Sequence, residues 1–336
     1  MLRCNSANRI SRRALAPGFR SSRPGASALR LISQRDHSAT RSGLTLLELV
    51  IVMVILAALT GIAVRAIEPV ADQARYEQTL KSFEQIEQAY LLRTLGADST
   101  VSYQGFIADI GRLPIAVGTD PQTQLSEFWA QGALPAFSVS DFDDPDTSAT
   151  EAIPVAAGWR GPYLNLPPGP AVLRDGFGND LTFFTQTGAV AVAGDPIAGM
   201  TSAGANNQLN DLDIDYDRDV TLPGGLWLPG RYEGTLPVSI KDSTGADPTL
   251  NAGETLSVRL YGPVDGVPSR ISSDLVAAGV TGEFDINLAD VPCGPRVLWV
   301  AVTTGSAPNE SVVRQSTYKQ IMVSPGMNAT ITMKIN

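Results

Sequence analysis

The sequence predicts an α+β chain. A long N-terminal helix, transmembrane in its first part, should pack on a small antiparallel-sheet head, followed by an all-β sandwich domain. Three observations predict this. Leu44–Val64 is a run of 21 residues with one ionisable group, Glu48, long enough to cross a bilayer as a helix. Leu80, Phe83, Ile86 and Tyr90 recur at helical spacing in a stretch without glycine. From about Tyr232 onward, apolar and polar residues alternate in short runs separated by Gly, Pro, Asn and Asp.

The first element should extend well past the apolar run. Arg65–Leu95 contains one proline, Pro69, and no glycine, so one helix over 44–95 is expected, perturbed at Pro69. The stripe Leu80–Tyr90 is read as core, and Glu77/Lys81 as an i,i+4 pair on the exposed face. Gly96 should end the helix. Residues 96–228 form the head. Within it, Gln104–Pro114 should hold a short helix closed by Gly111, and Leu125–Trp129 another. Residues 136–158, acidic and rich in Asp, Pro, Ser and Thr, are read as a loop or insertion. Residues 229–336 carry expected strands at Leu236–Lys241, Thr255–Tyr261, Gly282–Leu288, Val297–Val302, Val312–Val323 and Ala329–Ile335. Their spacing and number suit an immunoglobulin- or transthyretin-like sandwich.

Composition excludes several function classes. Residues 1–43 hold nine Arg and one acid, Asp36, and the remainder holds 16 Lys and Arg against 33 Asp and Glu. The basic lead favours a cytoplasmic N-terminus. The acidic remainder argues against nucleic acid, which is bound by neutralising phosphates. His37 and Cys4 both lie in the lead, leaving Cys293 alone beyond it. Such a chain cannot build a Ser-His-Asp or Cys-His catalytic unit or a usual zinc site, and no enzymatic activity is expected.

Gly43, then Leu44, then Glu48 five positions after the glycine resembles the class III signal of type IV pilins and type II secretion pseudopilins. The resemblance implies cleavage by a prepilin peptidase between Gly43 and Leu44, removing the leader 1–43, and N-methylation of Leu44. It also implies insertion in the inner membrane as a single pass with the C-terminal part in the periplasm. Assembly with other pilin-like subunits would follow on an inner-membrane platform. Glu48 would serve assembly by neutralising a neighbour's N-terminal amine, since a lone carboxylate in such a run is costly. Two departures stand out: the family usually has Phe where Leu44 stands, and its leader is shorter. Gly161–Leu164 (Gly-Pro-Tyr-Leu) and Asp175–Asn179 (Asp-Gly-Phe-Gly-Asn) are similar to turns of major pseudopilins, with Gly176 where those have Pro.

Asn210–Val220 places aspartates at 211, 213, 215, 217 and 219. Hard oxygen ligands suit Ca²⁺. Thr201–Ile214 resembles the calcium loop of major pseudopilins, which implies a site from Ser202, Asn206, Asp211, Asp213 and Asp215. The same run also reads as a solvated acidic loop or a linker. The functional expectation is a structural subunit of a type II secretion pseudopilus, a minor one given the bulk of the sandwich. The alternative is a minor type IV pilin or adhesin whose sandwich, with Trp227 and Trp299 as candidate platforms, binds a surface ligand.

Overall fold

The structure, a computed structural model, describes residues 45–96, 99–144, 153–166, 168–169, 171–209, 215–222, 231–277, 284–305 and 310–336. The chain divides between Ala58 and Leu59 into two compact units. Helix α1 (Leu46–Tyr90) runs through that division. Its start carries a capping box. The Thr45 N–H donates to Glu48 Oε2 at 2.9 Å, and the Glu48 N–H donates back to Thr45 Oγ1 at 3.3 Å.

In the second unit the α1 stripe does what its spacing predicts. Phe83, Ile86 and Tyr90 are fully buried, in one cluster with Phe106, Phe128 and Ile197. The Tyr90 hydroxyl donates to the Ile197 carbonyl at 2.9 Å. The helix ends before the expected Gly96. Strand β1 (Leu92–Leu95) instead pairs antiparallel with β2 (Val101–Gln104). Helix α2 (Phe106–Ile110) follows, closed by Gly111 in the left-handed conformation. Ser126–Phe128 is a single 3-10 turn.

Residues 136–158 are not simply a loop. They contain β3 (Ser138–Phe142) and β4 (Ile153–Ala157), an antiparallel pair whose Ile153, Val155 and Ala157 point inward. The remaining strands before the sandwich are β5 (Thr182–Phe184), β6 (Gly199–Ser202) and β7 (Val220–Thr221), which form one small sheet.

The sandwich comprises β8 (Glu233–Asp242), β9 (Glu254–Val264), β10 (Val267–Ala277), β11 (Asp285–Pro292), β12 (Gly294–Thr304), β13 (Ser311–Gln315), β14 (Lys319–Val323) and β15 (Ile331–Ile335). One sheet has the order β10-β9-β12-β13, with β14 also paired to β12; the other is β11-β8-β15. Strand β8 alternates strictly, burying Leu236, Val238 and Ile240. These meet Val258, Leu260, Val300 and Met333 across one apolar core. Strands β9 and β12 are buried on both faces. Their outer face, with Tyr261, Val297 and Trp299, is covered by Ile153 and Val155 of β4.

The expected α+β class is therefore corrected. The chain is mostly β: fifteen strands in several sheets among the described residues. Among the described residues between α1 and the sandwich there is no single small antiparallel-sheet head. Three separate two- and three-stranded sheets lie there, and the β3–β4 pair packs on the sandwich itself. Among the described residues no helix is long and apolar enough to cross a membrane. The described side chains at the front of α1 reach only to Ile62.

Helix α2 is the joint between these parts. A one-turn helix leaves its carbonyls without partners of its own, and here each finds one. Ile107 O accepts from Gly111 N–H at 3.0 Å, Asp109 O from Gly158 N–H at 3.0 Å, and Ile110 O from Gly266 N–H at 2.9 Å. Ala108 O accepts from the guanidinium of buried Arg296 at 3.1 Å. The approach is so close that a Cβ on Gly111 would lie 1.8 Å from the carbonyl oxygen of Pro263. Gly118 has a similar positive φ but open space around it. Gly111→Ala should therefore lower unfolding free energy by about 3 kcal/mol or more, against about 1 kcal/mol for Gly118→Ala. Urea denaturation measures both, and equal losses would contradict the close packing.

Candidate functional site

The processing residues Gly43 and Leu44 lie outside the described residues. Glu48 is described, and its carboxylate is turned toward the start of the helix. Besides the Thr45 N–H it accepts the Thr45 hydroxyl at 3.1 Å. The spacing Thr45-x-x-Glu48 is a readable capping signal, and it gives Glu48 a structural task in addition to the one the resemblance implies. Around it, every described side chain from Leu46 to Ile62 is exposed, the large apolar ones included. A helix apolar on all sides is ordinarily buried in a membrane or among other helices.

The proposed calcium set is only partly described. Asp211 and Asp213 lie outside the described residues. Asp215 begins a 3-10 turn, Asp215–Asp217, and its side chain is outside them too. Ser202 and Asn206 are described, and each makes a hydrogen bond within the chain. The Ser202 hydroxyl is fully buried and donates to Asp175 Oδ2 at 2.7 Å. Asn206 Oδ1 accepts the Gln208 N–H at 2.8 Å. Among the described residues no group of three His, Cys, Asp or Glu is placed to hold a metal.

Ser202 and Asp175 instead belong to a polar knot that the sequence does not announce. Asp175 Oδ1 accepts from Phe177 N–H at 2.9 Å and Asn179 N–H at 2.7 Å, which shapes the Asp175–Asn179 turn. Asn179 Nδ2 donates to the Gly204 carbonyl at 2.8 Å. The turn also docks on α1: Gly176 N–H donates to Thr79 Oγ1 at 2.9 Å. A Cβ at position 176 would sit 2.0 Å from the Arg75 carbonyl oxygen. That contact explains why glycine suits this place.

A second polar group surrounds Asp109 on α2. Its side chain is 3% exposed. Oδ1 pairs with Arg160 at 3.1 Å, and Oδ2 accepts the Tyr163 hydroxyl at 3.2 Å. Tyr163 in turn accepts the Arg160 backbone N–H at 3.0 Å, and the Arg160 guanidinium stacks 3.9 Å from the centroid of the Phe137 ring. Together with Gln88, Ala89, Leu92, Gln104 and Gly105 these residues line a cavity of about 220 Å³. Sequence reading missed this group because its members come from three separate segments. The Gly161–Leu164 similarity marks one edge of it.

Burial raises the Asp109 carboxyl to about 6, against the opposing pull of Arg160. The folded chain then holds a proton that the unfolded chain, with an ordinary value of about 3.9, has released. This contribution to stability is fully present below about pH 4 and is lost as the pH rises through 6. The advantage of the natural chain over Asp109→Asn should thus be about 2 kcal/mol larger at pH 4 than at pH 7.5. Urea unfolding at the two pH values reads this difference, and a pH-independent gap would contradict it. No protein-family model, curated protein or solved structure matches this chain.

Proposed function

We propose that this chain is a pilin-like structural subunit of a type II secretion pseudopilus. It is held in the inner membrane by Leu44–Val64 with its C-terminal part in the periplasm, and a prepilin peptidase cleaves it after Gly43. One observation carries the reading. The front of α1 exposes apolar side chains on every side, and the only carboxylate among them is Glu48. Such a surface needs lipid or other apolar helices around it. Capping alone would be served by an uncharged glutamine, so a full carboxylate at that depth favours a subunit that must meet a neighbour's amine. The absence of His beyond residue 37 fits a mechanical role: subunits leave the membrane and stack through their N-terminal helices, driven by an assembly platform.

The capping box separates the two tasks of Glu48. Glutamine can also cap at this position, so Glu48→Gln keeps the helix start and removes only the charge. Mass spectrometry of the full chain expressed with a prepilin peptidase should find a mature form starting at N-methylated Leu44, for the natural chain and for Glu48→Gln alike. The sheared-filament fraction should contain the natural chain and at least about tenfold less of the variant, in line with a lost charge pair in an apolar setting. A chain uncleaved at Gly43 would remove the pilin-like reading. Equal assembly of Glu48→Gln would remove the role given to its charge.

A further inference from the structure

We propose that the outer edge of β1, with the cavity at its foot, receives an extended acidic peptide strand from a partner protein. Among the described residues β1 pairs with β2 alone, and β2 lies against β12 and β14 of the sandwich. The outer edge of β1 therefore offers a row of backbone donors and acceptors to an incoming strand. Edge strands usually carry a safeguard such as a proline, a bulge or an inward charge. The Leu-Arg-Thr-Leu of β1 has neither proline nor bulge, its register being continuous over four pairs, and its safeguards are only its shortness and the exposed Arg93. It also exposes two leucines, Leu92 at 37% and Leu95 at 67%. Added-strand recognition uses such an edge for affinity and nearby side-chain pockets for selectivity.

The pocket and the charges define what fits. Leu92 stands opposite Gln104 in the register, and both line the cavity that holds Arg160. Side chains alternate along a strand, so a segment laid on β1 turns one face toward the Leu92 side, and its residue beside Leu92 meets that cavity. There Gln88, Gln104 and Arg160 offer hydrogen bonds. Asp109 lies buried behind, committed to Arg160 and Tyr163. The Arg160 side chain remains 42% exposed, which leaves guanidinium N–H groups for a second acceptor. On the opposite face of β1, exposed Arg93 sits beside Leu95, and no acid among the described residues pairs with it. Each face of the edge thus offers one guanidinium and one leucine. The matching segment alternates apolar side chains with carboxylates. This inference uses only the second unit of the chain and stands whether or not the chain is a pilus subunit.

Fluorescence anisotropy tests it, with the detergent-solubilised full chain and a labelled, blocked hexapeptide alternating valine with glutamate. Expected are saturable binding below about 1 mM and affinity at least about tenfold weaker when lysine replaces glutamate. N-methylation of alternate peptide nitrogens should abolish binding. Arg160→Gln should weaken binding about tenfold. Because that change also disturbs Asp109, Leu95→Glu on the exposed edge serves as a second variant and should weaken binding similarly, with its melting temperature unchanged. Equal binding of the glutamate and lysine peptides, or of the N-methylated one, overturns the proposal, as does no binding at about 1 mM. A chain that dimerises through this edge, with Leu95→Glu restoring the monomer, overturns it in favour of a second copy as the occupant.

Discussion

A buried guanidinium that makes no ion pair among the described residues is the constraint around which the described β-rich part is arranged. Arg296, on β12, is 1% exposed. Its terminal N–H groups go to main-chain carbonyls, Ala108 at 3.1 Å, Cys293 at 2.9 Å and Pro295 at 2.8 Å, while Nε has no partner among the described residues. Burial pulls its pKa down to about 10, so it is still charged at neutral pH. An uncompensated buried charge is expensive. The carbonyls of a helix end, carrying the negative end of the helix dipole, are the natural acceptors for it. Neither side is satisfied alone. Helix α2 needs donors for its last carbonyls, and Arg296 needs acceptors, so each fixes the other.

Other interactions depend on that placement. With α2 seated on β12 and on the β9–β10 turn, Arg112 reaches both Glu127 at 2.9 Å and Asp265 at 2.5 Å. The β3–β4 pair, anchored by the bond from Gly158 to Asp109, then covers the outer face of β9 and β12. Asp144, two residues past β3, is buried. There it accepts from Arg259 at 2.9 Å and from the Tyr261 hydroxyl at 2.8 Å. Arg259 also binds Glu310 and lies over the Trp299 ring. That cluster pairs buried charges of both signs, the condition under which burial is tolerated. Trp299, a candidate platform from its residue type, is packed beneath β4 and is no surface for a ligand. The sandwich is therefore not a loosely tethered accessory: β4 shares a core with the outer face of β9 and β12, and α2 is tied to β12 through Arg296.

Legibility in the sequence followed the range of the interactions. Period-2 alternation located most sandwich strands, because β8 has one face in the core and the pattern is local. Strand β10 escaped because its Val267–Ala277 is rich in serine and charge. Yet Asp265-Gly266 before it is a hairpin signal, and both residues adopt positive φ there. The β3–β4 pair was hidden by the Asp- and Pro-rich segment inside it, although Ile153, Val155 and Ala157 alternate as a buried strand should. The helical stripe ending at Tyr90 was readable, but the switch to β1 was not. Leu92–Leu95 is a strand because Val101–Gln104 lies beside it, not because of its own composition. Of the candidate site, Glu48 could be singled out from hydropathy and its cap from spacing. The bond from Ser202 to Asp175 is not legible locally, because the two lie 27 residues apart. No local pattern marks Arg296 as the cap of a helix 188 residues upstream.

Arg296 should bind α2 and the sandwich into one cooperative unit. The direct measurement is native-state hydrogen exchange of the full chain, comparing amides of α2 and β4 with those of β9 and β12, in the natural protein and in Arg296→Met. The account predicts one common opening free energy for these segments in the natural chain. It predicts selective loss of protection in α2 and β4 in the variant, while the β8–β11 pairs keep theirs. Independent opening of α2 and β4 already in the natural chain, or a variant with unchanged protection at α2, would contradict it.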